Sequence, residues 1–481
     1  MTTVDTNAAY RDQIREAKRL LRANMPDLKE RFALLTRRLE ASVAEVQAIR
    51  ARGDSPVPTV NAAELDSVSD ETKALIRQRG CVVIKGVFNS VQIDQWNASI
   101  ATYLTDLDYL GKADSKRGID QYFSALSSSK PQIYSVYWSP AQVQVRQSQA
   151  LAQARQWLNR LWDCAQGDDQ PVFDPDQECI YADRVRQREP GDDTLGLSPH
   201  VDGGSIERWI DPGYQAVYRH VYGGDINAYQ AFAAAHRTQT KEIPSPAVCQ
   251  MFRTYQGWTA LTRQGPGDGT LNLIPIADAM PWMLLRALQD DIADDDLCGA
   301  QAGRALMVNA QHHALLMQAY GPIPQVEAGD TVWWHPDVIH GVEDKHNGTG
   351  YSNVIYTGAA PRCAKNESFL ATQRAAFERG ESSPDFAPEH YELDFAGRAM
   401  PALLTALGRQ QMGYINRVRS CQCRRQVDFK TQHGLVGSER PRGCVAVGCV
   451  SVVPHNCAQG RAVGPAFGFY TQTCAAGVRH T

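Results

Sequence analysis

The chain has 481 residues, 43% of them hydrophobic, and 49 Lys and Arg against 53 Asp and Glu give a formal net charge of -4. That length suits one large domain with additions, or two or three smaller units, and the ordinary apolar content argues against wholesale disorder. Interspersed charges of both signs leave no footprint for nucleic acid or a membrane surface, and no run approaches the ~18 apolar residues of a bilayer span.

The N-terminus (MTTVDTNAAYRDQIREAKRL) lacks the apolar centre of a secretory signal. A cytoplasmic setting is therefore expected, where structural disulfides are not. Residues 8–52 place Ile14, Leu21, Phe32, Leu35, Leu39, Val43, Val46 and Ile49 at helical steps among Arg, Lys and Glu. This predicts a helical pair packed on the main body. ARGDSPVPTV (51–60) breaks the helix, which sets an N-terminal helical segment at 1–55 and a main domain at 56–414.

CVVIKGVF (81–88) reads as a short apolar strand, followed by a helix carrying Ile93, Trp96 and Ile100. Residues 105–170 mix helix and loop and end in the helical LAQARQWLNRLWDCA. From Glu178 the texture turns to strands: ECIYADRVRQRE, LGLSPHVD, FRTYQGWTALTR, GTLNLIPIA, GDTVWWHPDVIHGVE and YSNVIYTGAA. The pattern predicts a mainly β fold with α additions, a jelly roll or barrel with its core over about 178–362. YQAVYRHVY and AYQAFAAAHR interrupt it as a helical insertion at 211–246, and 366–412 is helical again. The tail at 415–481 is rich in Cys, Gly and Arg and has no periodicity. Six of the 12 cysteines fall there, but Cys421 and Cys423 are too close for a zinc ribbon. An irregular extension without a function is expected.

Random placement gives about one H-x-[DE] in a chain of this composition. Here there are three: His200/Asp202, His335/Asp337 and His390/Glu392. On a strand, residues i and i+2 share a face, so His200 and Asp202 can offer a nitrogen and an oxygen to one ion. The Gly-Gly that follows puts the acid at an accessible rim. Pro336 makes His335/Asp337 a connection between strands, and His390/Glu392 reads as a surface pair. His340 is then the candidate third ligand, brought alongside by closure of the sheet. Two imidazoles and one carboxylate on one face leave open the positions that iron(II) oxygenases use. On spacing alone, separate hydrogen-bonded histidines near turns explain His200 and His340 equally well.

IYADRVRQREPGDDTLGLSPHVDGGSIERW (180–209) and GDTVWWHPDVIHGVEDKHNGTGYSNVIYTGAAP (329–361) resemble the YbiU-like family, a domain of unknown function. CVVIKGVF and GDGTLNLIP (267–275) resemble strands of phytanoyl-CoA hydroxylase-like oxygenases. The resemblance spans roughly 60–414. It implies a double-stranded β-helix flanked by N- and C-terminal helices, with Fe(II) held by His200, Asp202 and His340. It further implies 2-oxoglutarate as co-substrate, O2 as oxidant and hydroxylation of a small molecule. Such enzymes place an arginine about ten to twelve residues after the distal histidine, to grip the far carboxylate of 2-oxoglutarate. Here Gly350, Tyr351 and Ser352 stand there. Arg253 is the first substitute, followed by Arg362 and the hydroxyl of Ser352 or Tyr351. Arg184, Arg186 and Arg188 alternate along one strand and read more readily as a solvated face. A metal enzyme of this fold without 2-oxoglutarate, and a non-catalytic binding protein, are the alternatives. Nothing in the sequence sets an oligomeric state.

Overall fold

A computed structural model describes residues 6–113, 131–166, 170–194, 198–246 and 248–414. The expected irregular tail at 415–481 lies outside the described residues.

The N-terminal periodicity forms two helices, α1 (Arg11–Ala23) and α2 (Leu28–Ala51). Their buried stripe (Ile14, Leu21, Leu35, Leu39, Val43, Val46) shares one apolar cluster with Val201, Ile206, Leu306 and Ile339 from the main body. Lys18 is buried with them, and its Nζ donates to the carbonyls of Ala293 at 2.7 Å and Asp296 at 2.9 Å.

Sixteen short strands occur among the described residues. They are β1 (Thr59–Asn61), β2 (Cys81–Lys85), β3 (Ile133–Tyr134), β4 (Ala165–Gln166), β5 (Gln170–Pro171), β6 (Asp174–Cys179), β7 (Val185–Arg188) and β8 (His200–Val201). There follow β9 (Gln256–Ala260), β10 (Leu271–Leu273), β11 (Leu306–Met307), β12 (Gly321–Pro322), β13 (Thr331–Trp334), β14 (His340–Val342), β15 (Ser352–Tyr356) and β16 (Ala360–Arg362). One sheet has seven strands in the order β1-β2-β13-β9-β15-β7-β3, and another has five in the order β11-β8-β14-β10-β12. The pairs β4–β5 and β6–β16 stand apart.

Strand alternation explains how the sheets are buried. Val82, Ile84, Trp333, Ile355 and Val185 share one face of the larger sheet and pack with Trp96, Ile100 and Leu158 from the helices Ser90–Asp106 and Gln149–Asn159. Cys81, Val83, Val332, Trp334, Trp258 and Val354 share the other face and pack with Leu271 and Leu273 of the smaller sheet. The two sheets therefore face each other across an apolar layer, while helices cover the back of the larger one. Both faces are dry, which is why Trp333 and Trp334 are buried in opposite directions.

Two expectations are corrected. The fold is mixed α/β rather than mainly β: the strands are only two to six residues long, and helices as long as 24 residues pack around them. In the insertion, only Pro212–Val217 is α-helical, and AYQAFAAAHR is irregular. Its backbone is claimed by distant partners, since Ala233 bridges Asp163 and the Ala231 carbonyl meets His335. Tertiary contacts override the alanine-rich helix propensity.

Candidate metal centre

His340 of β14 is the register partner of His200 of β8, so antiparallel pairing sets the two imidazoles side by side with ring centroids 4.3 Å apart. Asp202 follows two residues after His200. Its Oδ1 lies 3.4 Å from His200 Nε2 and its Oδ2 lies 3.7 Å from His340 Nε2. One potential ligand atom from each residue falls within 4.8 Å of the others. The chain then turns at Gly203 and Gly204, both at positive φ (76° and 80°), and a Cβ on Gly204 would meet the Tyr214 hydroxyl at 2.4 Å. Only glycine fits this sharp exit, which leaves the Asp202 side chain 27% exposed.

The remaining ring nitrogens fix the imidazoles for metal binding. His200 Nδ1 lies 2.7 Å from the Ser198 carbonyl and His340 Nδ1 lies 3.2 Å from the Val338 carbonyl. A carbonyl only accepts, so each Nδ1 carries a proton, which leaves Nε2 as the nitrogen that each neutral imidazole could give to an ion. Gln256 Nε2 donates to Asp202 Oδ2 at 2.8 Å. Burial opposes charge on Asp202, but the two imidazoles override it and hold the carboxyl well below the usual range. Burial and the neighbouring His200 push His340 down, whereas Asp202 outweighs burial at His200 and raises it. The donor set suits a divalent ion with open coordination positions.

The triad opens into a cavity of about 450 Å³. Its wall includes Trp334, whose ring centroid is 5.1 Å from that of His340, and also Trp258, Arg184, Arg186 and Arg253. Arg253, read from the sequence as the first anchor for an anion, does line the cavity. It lies over the Tyr181 ring, donates no hydrogen bond among the described residues, and comes no nearer than 3.9 Å to Asp202. Ser352, Arg362 and Tyr351 do not line the cavity. Ser352 Oγ is spent on the Asp268 carbonyl at 2.5 Å, and Arg362 is paired with Glu367.

The arginine stripe on β7 is not a solvated face. Arg188 is fully buried and donates to the carbonyls of Gly269 and Glu343 at 2.8 and 2.9 Å. Arg184 meets Asp183 at 3.4 Å and covers the Phe386 ring. Arg186, 2% exposed, lines the cavity with no carboxylate partner among the described residues. Its one hydrogen bond is a long 3.4 Å contact to Gln264, and its Nε has none. Its strand pairs directly with β15, where Arg186 faces Val354. The alternation of β7 was visible in sequence; the dryness of its face was not.

The other two motifs are structural. His335 stacks on Trp162 with centroids 4.8 Å apart, and Asp337 binds Arg208 and Arg237 at 2.8 and 2.9 Å. Glu392 is no surface residue: it is buried and accepts from the Tyr103 hydroxyl and the amides of Tyr137 and Trp138.

A model of the Gig2-like family matches residues 8–414. The uncharacterized protein YbiU of Escherichia coli K12 is 42% identical over 420 residues, which cover 85% of this chain and 98% of that one. A crystal structure from Salmonella typhimurium LT2, named "Putative Oxidoreductase", is 42% identical and superposes with a TM-score of 0.79 over 86% of this chain and 98% of that chain. The crystal structure of the Candida albicans GlcNAc Inducible Gene 2 protein (DUF1479) is 25% identical, with a TM-score of 0.68 over 84% of this chain and 91% of that chain.

Proposed function

The chain belongs to the Gig2-like family, and on that footing we propose that it is an Fe(II)- and 2-oxoglutarate-dependent dioxygenase that hydroxylates a small molecule. The observation that carries the reading is the convergence of His200, Asp202 and His340 beside a cavity of about 450 Å³. We read the two facing sheets as the walls of a double-stranded β-helix.

In this reading His200, Asp202 and His340 hold the iron, and Arg186 pairs with the far carboxylate of 2-oxoglutarate in place of the arginine missing after His340. A dry carboxylate needs such a partner, and a guanidinium can offer it two parallel donors. When bound, the metal and its co-substrate supply the oxidising chemistry: R–H, 2-oxoglutarate and O2 become R–OH, succinate and CO2. The chain's own work is to position and to exclude water. The carbonyls of Ser198 and Val338 fix the imidazole tautomers, Gln256 orients Asp202, and Trp258 and Trp334 keep the wall apolar.

Cys81, Cys164, Cys179, Cys249, Cys298 and Cys363 are free thiols among the described residues. Among the described residues no helix is long and apolar enough to cross a membrane.

The test is an anaerobic titration with Fe(II) and 2-oxoglutarate, watching for the weak visible charge-transfer band, followed by admission of O2 and assay of succinate. Stoichiometric Fe(II) binding without any 2-oxoglutarate turnover would favour a metal enzyme of the same fold with another co-substrate. The lack of an arginine at 350–352 is the observation on that side.

A further inference from the structure

The oxygenase reading leaves two charged groups on the cavity wall without a role. The Arg253 guanidinium lies 5.0 Å from the centroid of the Tyr181 ring, and the Tyr181 hydroxyl donates to Asp385 Oδ2 at 3.0 Å. The Gln250 amide donates to the same oxygen at 2.9 Å, while Asp385 Oδ1 has no partner. Arg253 is 8% exposed and Asp385 is 2% exposed, and both line the cavity. One tyrosine ring therefore carries a cation and an anion against the same wall, and the two are not joined to each other. Burial raises the Asp385 carboxyl to about 6, which leaves it ionised at neutral pH.

The charges at the metal end cancel. The dipositive ion, anionic Asp202, dianionic 2-oxoglutarate and cationic Arg186 sum to zero. Arg184 is offset by Asp183 at 3.4 Å, and Arg304, only half-buried, keeps part of its surface in water and is already engaged within the chain. What remains is one group of each sign: Arg253, whose nearest carboxylate is Asp202 at a loose 3.9 Å, and Asp385. Each has unspent hydrogen-bonding capacity in a place where unpaired charge is costly. A purely anionic ligand would strand Asp385, and a purely cationic one would strand Arg253. A ligand carrying both signs satisfies both.

We propose that the substrate is a zwitterion of the free amino-acid type, its carboxylate held by Arg253 and its ammonium by Asp385. The assignment rests on the oxygenase reading, because the charge balance assumes the ion and 2-oxoglutarate in place. Phe386, beside Asp385, and Trp258 give the wall aromatic surface for an apolar side chain.

The experiment is calorimetry under anaerobic conditions. Full-length protein is first loaded with Fe(II) and 2-oxoglutarate, and the standard L-α-amino acids are then titrated in one at a time. The expected result is saturable binding of at least one of them. Its N-acetyl derivative, which lacks the ammonium, and its methyl ester, which lacks the carboxylate, should each bind at least about tenfold more weakly. Asp385→Asn should weaken the amino acid by a similar factor, yet bind the corresponding deamino acid at least as well as the wild type does, which shows that the variant is folded. The proposal is overturned if loaded protein binds none of the amino acids, or binds the masked forms equally well. Failure at the loading step is a different result: it sinks the oxygenase reading, and the charge balance with it.

Discussion

Arg208 donates to Asp337 Oδ1 at 2.8 Å, and the same guanidinium donates to the carbonyls of Gly203 at 3.0 Å and Gly204 at 3.2 Å. One buried side chain thus joins the turn after Asp202 to the segment that leads into His340. Tyr218 is bound to both members of the pair, and Arg237 supplies a second cation to Asp337.

That tie predicts an effect on the metal from residues that do not touch it. Arg208→Met should lower Fe(II) affinity by about 10–100-fold, as losses in the outer shell of metal sites do. Arg237 remains to cover Asp337, so the fold should survive. Asp337→Asn leaves two buried cations without their anion and should cost about 3–5 kcal/mol of stability. Urea unfolding together with anaerobic metal titration checks both. Wild-type affinity in folded Arg208→Met would rule out the positioning role.

The ligands themselves behave differently. His200→Ala and Asp202→Ala should abolish stoichiometric Fe(II) binding and leave the metal-free protein within about 1–2 kcal/mol of wild type, since both side chains are partly exposed at a rim. Metal content after anaerobic loading is the readout, and unchanged affinity in either variant would refute the site.

Arg186→Met separates function from stability. The wild-type residue keeps a buried cation with no carboxylate partner among the described residues, and burial pulls its pKa below the usual arginine value. Replacing it with an apolar chain of similar length should raise the stability of metal-free protein by about 1 kcal/mol or more. It should also raise the 2-oxoglutarate concentration needed for half-saturation by about 100-fold and leave Fe(II) affinity alone, because a buried charge-assisted pair is lost. A variant that needs no more 2-oxoglutarate than wild type would return the anchor to Arg253.

Glu392 sets a pH dependence. Burial pushes its carboxyl up to about 7, despite the hydrogen bonds it accepts from the Tyr103 hydroxyl and the Tyr137 and Trp138 amides. From the ordinary value near ~4.3 up to about 7, the folded protein keeps a proton that the unfolded chain has released, so stability falls as pH rises through that window. The loss from this one group approaches ~3 kcal/mol once the window is passed. Glu392→Gln cannot titrate and should flatten the slope by that amount. Urea midpoints at roughly pH 5 and pH 8 for the two proteins measure it, and identical slopes would count against the assignment.

The triad was legible because its signal is local: two ligands on one strand, a Gly-Gly exit and a distal histidine before another strand. Period-two geometry carries that far without tertiary knowledge. The same geometry put Arg184, Arg186 and Arg188 on one face but could not say whether that face was wet. The answer depends on β10, β14 and the carbonyls of Gly269 and Glu343 beside them, which come from elsewhere in the chain. Glu392 failed for a like reason, since its partners Tyr103, Tyr137 and Trp138 lie more than 250 residues upstream. AYQAFAAAHR has helical composition but spends its Ala231 carbonyl on the distant His335. What the sequence hid was long-range burial.

Val201 and Ile339, the immediate neighbours of His200 and His340, turn away from the metal side and into the cluster that also contains the stripes of α1 and α2. The amino-terminal arm is thus a brace behind the two imidazole-bearing strands, although it contributes no ligand. Cutting it off would wet the rear of those strands and loosen their register, so trimmed protein should retain iron poorly with every coordinating residue still in place.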